Sequence, residues 1–254
     1  MKISIITVTC NSAATVADTL RSVSQQTWPD VEHIVVDGAS TDETVAIVRR
    51  EGVHVAKLVS EPDDGIYDAM NKGLRLATGD VVGFLNSDDI YADNDVAKRI
   101  SQSMSDLDVD AVYGNLVFVA QNETTRIVRY WRSAPYRLGA CARGWMPPHP
   151  TLYVRRSVLD KIGNFDTSYQ LQADFELCLR LFEVHRVRAL HLSATLVRMR
   201  TGGATTGSVR NIIRGNLEAA RACRQHGFHG GLGFIARKMV SRIPQFLFKS
   251  NAAR

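Results

Sequence analysis

The first hundred residues alternate between short apolar runs and segments in which apolar residues recur at helical spacing. Runs rich in Val and Ile predict strands that are covered on both faces. These runs lie at 3–8, 33–36, 53–59 and 80–85. Apolar residues three or four positions apart predict helices between them, at 12–26, 41–50 and 67–77. Strands that alternate with helices predict an α/β fold with a doubly wound, mainly parallel sheet.

The second half is less regular and predicts an α+β arrangement. Its predicted elements are a hairpin or edge pair at 112–120 and 125–130, helices at 155–161 and 174–184, and a strand at 189–197. A basic, Gly- and Thr-rich loop is predicted to follow at 198–206. We therefore expect one domain over 1–208, with halves 1–100 and 101–208, and a C-terminal extension over 209–254.

Composition narrows the class of protein. Hydrophobic residues make up 45% and charged residues 22%, which is typical of a soluble globular chain and excludes a disordered or collagen-like one. No uncharged apolar run approaches the ~20 residues that span a bilayer. The N-terminus is interpreted as a first strand, not a signal peptide. The four cysteines lack metal-site or redox-motif spacing, so reduced thiols in a cytosolic protein are expected.

Positive charge is concentrated in the C-terminal extension. Residues 209–254 carry nine Lys or Arg and one acid, whereas the rest carries 22 basic and 25 acidic residues. The body is therefore not expected to bind nucleic acid. In the extension, apolar residues recur at helical spacing at Leu232, Ile235, Met239 and Ile243. A basic amphipathic helix indicates a membrane surface as partner. The alternative is a helix that packs on the body or on a second subunit of a homodimer.

Polar clusters follow three of the predicted strands, at Thr9–Asn11, Asp37–Ser40 and Asn86–Asp89. The carboxyl ends of parallel strands meet at one edge of a sheet, where ligands bind. The adjacent carboxylates Asp88 and Asp89 suit Mg²⁺ or Mn²⁺ between the protein and a polyanion. The alternative is an Asp-rich turn. Asp37 can accept hydrogen bonds from a base or a ribose, or it can cap the turn that follows.

Four segments, in this order, resemble family 2 glycosyltransferases of the GT-A fold, and especially the bacterial exopolysaccharide and colanic-acid branch. They are ISIITVTCNSAATVADTLRSVSQQT, HIVVDGASTDET, EPDDGIYDAMNKGLRLATGDVVGFLNSDD and HPTLYVRRSVLDKIGNFDTSYQLQADFELCLRL. The resemblance covers roughly residues 3–206. It implies a nucleotide-sugar half over 1–100 and an acceptor half over 101–208.

The resemblance also implies roles for individual residues. The base and ribose would be lined by Thr9, Asn11, Asp37, Asp64 and Asn86. Asp88 would hold the metal on the diphosphate, with Asp89 as a second ligand. Asp174 would be the general base that deprotonates an acceptor hydroxyl.

The chain departs from the family pattern in three places. Asn86 replaces the first acid of the usual Asp-x-Asp, and Ala173 replaces the first acid of the usual Glu-Asp pair. The C-terminal Gln-x-x-Arg-Trp of processive synthases is absent, which favours addition of a single sugar.

Three further side chains are candidates for contact with acceptor or diphosphate. His149 lies between two prolines, and Arg198 and Arg200 precede Gly202. A mobile loop could bring a guanidinium to the diphosphate. The alternative is a solvated rim loop.

Together these features predict an inverting, Mn²⁺- or Mg²⁺-dependent transferase of one sugar from a nucleotide diphospho-sugar, with UDP favoured over GDP. A lipid-linked or surface-polysaccharide acceptor is expected, at the inner face of the cell membrane, with the enzyme cytoplasmic and peripheral. A nucleotidyltransferase of similar fold would need a Gly-rich, Arg-containing loop after the first strand, and residues 10–14 contain neither. A non-catalytic sugar-nucleotide or membrane-binding module would not need Asp37, Asp88 and Asp174 together.

Overall fold

The structure is a computed structural model that describes residues 1–202 and 208–240. The strands are β1 (Ile3–Thr9), β2 (Val31–Asp37), β3 (Val55–Ser60), β4 (Val81–Phe84), β5 (Ile90–Tyr91), β6 (Ala111–Ala120), β7 (Glu123–Trp131), β8 (Tyr153–Arg155) and β9 (Ala189–Arg200). The helices are α1 (Val16–Ser24), α2 (Thr44–Glu51), α3 (Ile66–Leu76), α4 (Val96–Ser103), α5 (Arg156–Ile162), α6 (Ala173–Cys178), α7 (Val209–Gln225) and α8 (Leu232–Val240).

All nine strands of the described chain form one sheet, in the order β3-β2-β1-β4-β8-β6-β9-β5, with β7 paired to β6. The first four strands are parallel, as predicted. β8 is antiparallel to both β4 and β6, and it therefore joins the two halves of the sheet. The predicted hairpin is confirmed, because β6 and β7 pair antiparallel.

Alternating residues of β1 explain why its whole run is apolar. Ile3 and Ile5 belong to a core formed with α1 and α4, whereas Ile6 and Val8 belong to a second core formed with α3 and α6. Both faces of the central strands are covered, so each side chain of β1 is buried. The carboxyl ends of these strands are thereby left at one edge for a ligand.

Two predicted elements differ from the structure, and β5, α4 and β8 were not predicted. The helix predicted over 174–184 is split into α6 and a π-helical stretch, Leu179–Val184. The strand predicted to end at 197 continues to Arg200, because Arg198 pairs with Val117 and Ile90, and Arg200 pairs with Val119. Arg198 and Arg200 therefore lie in β9 and not in a loop, which corrects that prediction. Residues 203–207 of the predicted loop lie outside the described residues.

The described part of the C-terminal extension packs on the body. On α7, Ala219 and Cys223 are fully buried in the same core as α3 and α6, and on α8 Phe234 is buried beside them. The predicted apolar stripe is only partly covered. Ile235 is half-buried, Leu232 and Met239 are 86% and 54% exposed, and Ile243 lies outside the described residues.

Among the helices of residues 1–202 and 208–240, none has the length and apolar character that crossing a membrane requires.

Candidate active site

The ends of β1, β2 and β4 bring the predicted polar clusters to one edge of the sheet. Thr9 pairs with Asp37, and the Gly38 amide donates to the Thr9 carbonyl at 2.8 Å. The Ser87 amide donates to the carbonyl of Val8 at 3.3 Å. The parallel register thus places the residues after β1, β2 and β4 side by side.

Asn11 ties the turn after β1 to the turn after β2. Its φ of 49° is in the left-handed region, which Asn tolerates better than most residues. Its Oδ1 accepts from the Thr41 amide at 2.9 Å, and its own amide donates to Ser40 Oγ at 2.7 Å. The side chain that was predicted to contact the nucleotide therefore shapes the turn.

Asp37 is fully buried and accepts three hydrogen bonds. The donors are the Ser40 amide at 2.9 Å, Ser40 Oγ at 2.5 Å and Ser60 Oγ at 2.7 Å. These contacts agree with the alternative role of Asp37, in which its carboxylate caps the turn that follows β2. A contact from Asp37 to a base or ribose stays a prediction.

Asp63 is a residue of this edge that the sequence analysis missed. A Cβ on Gly38 would lie 2.4 Å from Asp63 Oδ2, so a glycine there permits the close approach. Asp64 is exposed, and its amide donates to Asp68 Oδ2 at 3.2 Å. Asp63 and Asp64 lie in the same turn, so the sequence alone does not show which of them approaches the end of β2. The close approach to Gly38 shows that it is Asp63.

The edge beside β2 is acidic. Burial raises the pKa of the Cys10 thiol, and Asp63, Asp37 and Asp42 raise it further. Such an edge favours hydrogen-bond donors, such as base N–H groups and ribose hydroxyls, and disfavours bare phosphate.

The segment after β4 has more oxygen acceptors than donors. Within the described residues, Asn86 Oδ1 and both carboxylate oxygens of Asp89 are buried without a hydrogen-bond partner. Burial raises the pKa of Asp88, and a nearby Arg200 lowers it. Burial and Asp88 raise the pKa of Asp89 well above its usual range, and the positive charge of Arg200 opposes this shift.

These oxygens fit a divalent cation. Buried carboxylates that lack partners are stabilised by a bound cation, and oxygen ligands suit Mg²⁺ and Mn²⁺. In 1–202 and 208–240, no group of three or more His, Cys, Asp or Glu side chains could hold a metal by itself. A cation beside Asp88 would therefore take further ligands from phosphate and water.

Arg200 lies in β9, and its guanidinium joins three other segments of the chain. It is 5% exposed, and its guanidinium donates to the Asp88 carbonyl at 2.8 Å, to Asp18 Oδ2 at 2.5 Å and to the Gln121 carbonyl at 3.1 Å. The contact with the Asp88 carbonyl joins the segment that carries Asp88 to β9, and the other two contacts join β9 to α1 and to the turn after β6. Arg198 lines an open surface pocket with Arg21 and other residues of α1.

Asp174 lies in the first turn of α6, and its two oxygens differ. Oδ1 accepts from Tyr67 Oη at 3.2 Å and from the Phe175 amide at 2.8 Å. Tyr67 is the second residue of α3, which directly follows the acidic turn at 61–65. This hydrogen bond brings Asp174, from the second half, to the edge formed by the first half.

His149 is buried between Phe84 and Phe165, at ring-centroid distances of 5.5 and 5.8 Å. Neither ring nitrogen has a hydrogen-bond partner among the described residues. Burial lowers the pKa of His149, and Asp174 opposes that shift, so the imidazole is neutral at neutral pH. Its predicted contact with acceptor or phosphate stays a prediction.

The C-terminal helices hold the segment that carries Asp174, which agrees with the alternative that the extension packs on the body. Five side chains of α7, α8 and the turn after α7 contact residues 168–176. The contacts are Arg221 Nη2 to Ser168 Oγ (2.9 Å), Tyr169 Oη to Gln225 Oε1 (2.8 Å), the Leu171 amide to Glu218 Oε2 (2.8 Å), Lys238 Nζ to Gln172 Oε1 (2.6 Å) and His226 Nε2 to Glu176 Oε1 (2.7 Å). In the sequence, the small side chains within 219–222, next to Glu218, were the feature that could have indicated a helix packed on the body.

The family of this chain follows from a comparison with known protein families. The family model described as "Glycosyl transferase family 2" matches residues 4–169. The chain belongs to glycosyltransferase family 2. It is therefore a glycosyltransferase, and the predicted family is confirmed.

Curated relatives carry the same class of activity in their names. The chain is 31% identical over 183 residues to a PGL/p-HBAD biosynthesis glycosyltransferase of Mycobacterium bovis, which covers 70% of this chain and 69% of the relative. It is 32% identical over 180 residues to an uncharacterized glycosyltransferase of Mycobacterium tuberculosis, which covers 70% and 68% of the two chains.

Solved glycosyltransferase structures confirm the GT-A fold. Residues 1–349 of S. aureus TarS in complex with UDP-GlcNAc give a TM-score of 0.68 at 18% identity, covering 96% of this chain and 73% of that one. The mannosyltransferase PcManGT of Pyrobaculum calidifontis, in complex with GDP-Man and Mn²⁺, gives 0.67 at 21% identity, covering 94% and 68%. Against a longer TarS chain, the match spans 43% of that chain.

Proposed function

We propose that this family 2 glycosyltransferase moves one sugar, with inversion at the anomeric carbon, from a nucleotide diphospho-sugar to a hydroxyl group of a lipid-linked or surface-polysaccharide acceptor. The hydrogen bond from Tyr67 to Asp174 carries the proposal. It joins a carboxylate of the acceptor half to the strand-end edge, where ligands of parallel sheets bind. Direct inversion needs one base on the acceptor side of the sugar.

The residues of the site have different proposed roles, which follow from the chemistry of their side chains. The acidic turns around Asp37 and Asp63 would receive the base and ribose as hydrogen-bond donors. Asp88, with Asp89 as a second ligand, would hold Mn²⁺ or Mg²⁺, and a bound cation would neutralise charge on the departing diphosphate. Asp174 would take the proton of the acceptor hydroxyl.

We favour UDP over GDP as the nucleotide. The S. aureus TarS structures contain UDP or UDP-GlcNAc, and the similarly related PcManGT structure contains GDP-Man with Mn²⁺. Both neighbours support a nucleotide-sugar donor, and the two TarS complexes support UDP as its nucleotide.

We also propose that the C-terminal helices rest on an anionic membrane, in the cytoplasm. Six apolar side chains of α7 and α8 are between 40% and 86% exposed. They are Ile212, Ile213, Leu217, Leu232, Met239 and Val240. Arg210, Arg214 and Arg237 lie on the same helices. Exposed apolar side chains among arginines suit the boundary between headgroups and acyl chains. Pairing with a second subunit remains the alternative occupant of this surface.

Thermal denaturation with a panel of donors tests the proposal. A ligand that binds only the native state raises the melting temperature by mass action. We expect one UDP-sugar to raise it in the presence of Mn²⁺ or Mg²⁺, and GDP-sugars to have a smaller effect. Nucleoside diphosphates without a sugar are the control. A chain whose melting temperature responds to no nucleotide sugar would contradict the proposal.

A further inference from the structure

The two oxygens of Asp174 have different surroundings, and Tyr67 causes most of the difference. Oδ1 accepts the hydroxyl of Tyr67 and the amide of Phe175. No hydrogen bond to Oδ2 is formed within the described residues. An ionised carboxylate has about four acceptor positions, so Oδ2 is free to accept from a substrate hydroxyl.

The position of Tyr67 is fixed by its helix and by the loop before α6. Its ring is 8% exposed and lies 5.5 Å from the ring of Phe165, centroid to centroid. One turn later in α3, Asn71 Nδ2 donates to the Phe165 carbonyl at 2.9 Å, and the Phe165 amide donates to Asn71 Oδ1 at 3.0 Å. These paired hydrogen bonds hold α3 against the loop, so the Tyr67 hydroxyl is not free to turn away.

The Tyr67 hydroxyl keeps its proton at neutral pH and acts as a hydrogen-bond donor. Burial raises its pKa well above the usual value, and the negative charge of Asp174 raises it further. A neutral hydroxyl beside a carboxylate stabilises the ionised form of that carboxylate. It also limits rotation of the carboxyl group about χ2.

We propose that Tyr67 is a positioning residue for the glycosyl transfer, which holds Asp174 through Oδ1 so that Oδ2 is the oxygen that receives the acceptor proton. The inference rests on the proposed role of Asp174 as general base. In the step, the acceptor O–H proton passes to Oδ2 and the acceptor oxygen forms the new bond to the anomeric carbon. The bond from that carbon to the diphosphate oxygen breaks, its electron pair leaves with the diphosphate, and Tyr67 keeps its proton.

The test is the pH dependence of kcat for Tyr67→Phe, measured as release of nucleoside diphosphate from the donor found by thermal denaturation. The substitution keeps the ring against Phe165 and removes only the hydroxyl. We expect kcat to fall about 10- to 100-fold, which is the range for loss of a hydrogen bond to a charged group. The acidic limb of the profile should move to higher pH, because a carboxylate that loses a donor binds protons more tightly. The donor KM should not change.

Tyr113→Phe is the matched control. Tyr113 is 0% exposed, and its hydroxyl donates to the Ala134 carbonyl at 2.9 Å. This substitution also removes one buried tyrosine hydroxyl, but it changes no hydrogen bond of Asp174 or of the segment 168–176. An equal shift of the acidic limb in both variants, or in neither, would overturn the inference.

Two further variants distinguish a wrong role for Tyr67 from a wrong role for Asp174. If Tyr67→Phe does not fold, 3-fluorotyrosine at position 67 preserves the shape and strengthens the donor, so the acidic limb should move to lower pH; an unmoved limb would overturn the inference. If Asp174→Asn keeps its turnover, the proposed base is wrong. If Asp174→Asn is inactive while Tyr67→Phe behaves as the unmodified enzyme, only the role of Tyr67 is wrong.

Discussion

Lys238 Nζ donates a hydrogen bond of 2.6 Å to Gln172 Oε1, and Gln172 is the N-cap of α6, two positions before Asp174. Lys238 is 2% exposed, and its ammonium also lies 4.7 Å from the ring centroid of Phe175. A buried ammonium needs such partners, because an unpaired one is costly to desolvate. The last described helix of the chain therefore contacts the segment that presents the proposed base.

We predict that Lys238→Met lowers both stability and turnover while donor affinity is kept. The variant leaves Gln172 Oε1 without its donor, which costs about 1–3 kcal/mol of unfolding free energy. The start of α6 would then be less well held. Urea denaturation, kcat and the donor dissociation constant are the measurements. Arg237→Met, an exposed change on the same helix, should leave all three unchanged. Equal stability of the two variants would show that the Lys238 contact contributes nothing.

We predict that donor binding depends on a divalent cation held by Asp88. Asp88→Asn should weaken donor binding about 10- to 100-fold, a range seen when a metal site is disturbed. EDTA should weaken binding to the unmodified enzyme to the same extent and have no further effect on the variant. Calorimetric titration measures this, with the exposed Asp93→Asn as control. If neither EDTA nor Asp88→Asn changes the affinity, Asp88 holds no metal.

We predict that His33 makes the fold less stable at mildly acidic pH. Burial in β2 lowers its pKa to about 4 from 6.5, and Thr7 Oγ1 lies 3.0 Å from its Nε2. Between those pH values the unfolded chain binds a proton that the folded chain does not, so stability falls as the pH is lowered. The loss amounts to about 3 kcal/mol by pH 4.

His33→Gln should remove this part of the pH dependence, as measured by urea denaturation from pH 7.5 to 4. His54→Gln, at an exposed position, should keep it. Glu32 beside His33 has its pKa lowered to about 2, where hydrogen bonds from Ser4 and Thr78 outweigh the opposing effect of burial, and it therefore stays ionised over this range. Parallel stability curves for the two variants would mean that His33 is protonated in the folded chain.

We predict that the exposed apolar residues of α8 bind anionic membranes. The double change Leu232→Glu and Met239→Glu should reduce co-sedimentation with anionic vesicles without changing the melting temperature, because both side chains are exposed. High salt should release only part of the unmodified protein, since salt screens the arginines but not apolar contacts. Val53→Glu with Leu107→Glu, 79% and 84% exposed on the body, is the matched control.

Equal and negligible binding to anionic and neutral vesicles would refute the membrane proposal. A change of oligomeric state in the Leu232→Glu and Met239→Glu protein, measured by analytical ultracentrifugation, would instead assign this surface to a second subunit.

The fold was predictable where local pattern and tertiary context agree. β1 and β4 are buried on both faces, so their apolar runs identified them without knowledge of their neighbours. The end of β9 was not predictable, because Arg200 would be polar and solvated in isolation. It is extended only because β6 lies beside it, and its charge is accepted by Asp18 and two carbonyl oxygens.

The candidate site was predictable to a similar degree. The strand-end clusters were identified because parallel strands must end at one edge. Asp63 and Tyr67 were missed, because their contacts with Gly38 and Asp174 join segments far apart in the chain. The packing of α7 was missed because the charge of residues 209–254 suggested an independent tail, whereas Glu218 and four alanine or cysteine side chains of α7 face the body.

The role of Asp174 as general base is tested most directly by the turnover of Asp174→Asn, measured together with its donor affinity. The asparagine keeps the size and polarity of the side chain, so folding and donor binding should survive. A general base contributes about 10²- to 10⁴-fold to a rate, and its loss lowers turnover far more than ground-state binding. We predict a fall of that size in nucleoside diphosphate release, with the donor dissociation constant unchanged. Turnover close to that of the unmodified enzyme would contradict the account and leave Asp174 as a residue that only shapes the start of α6.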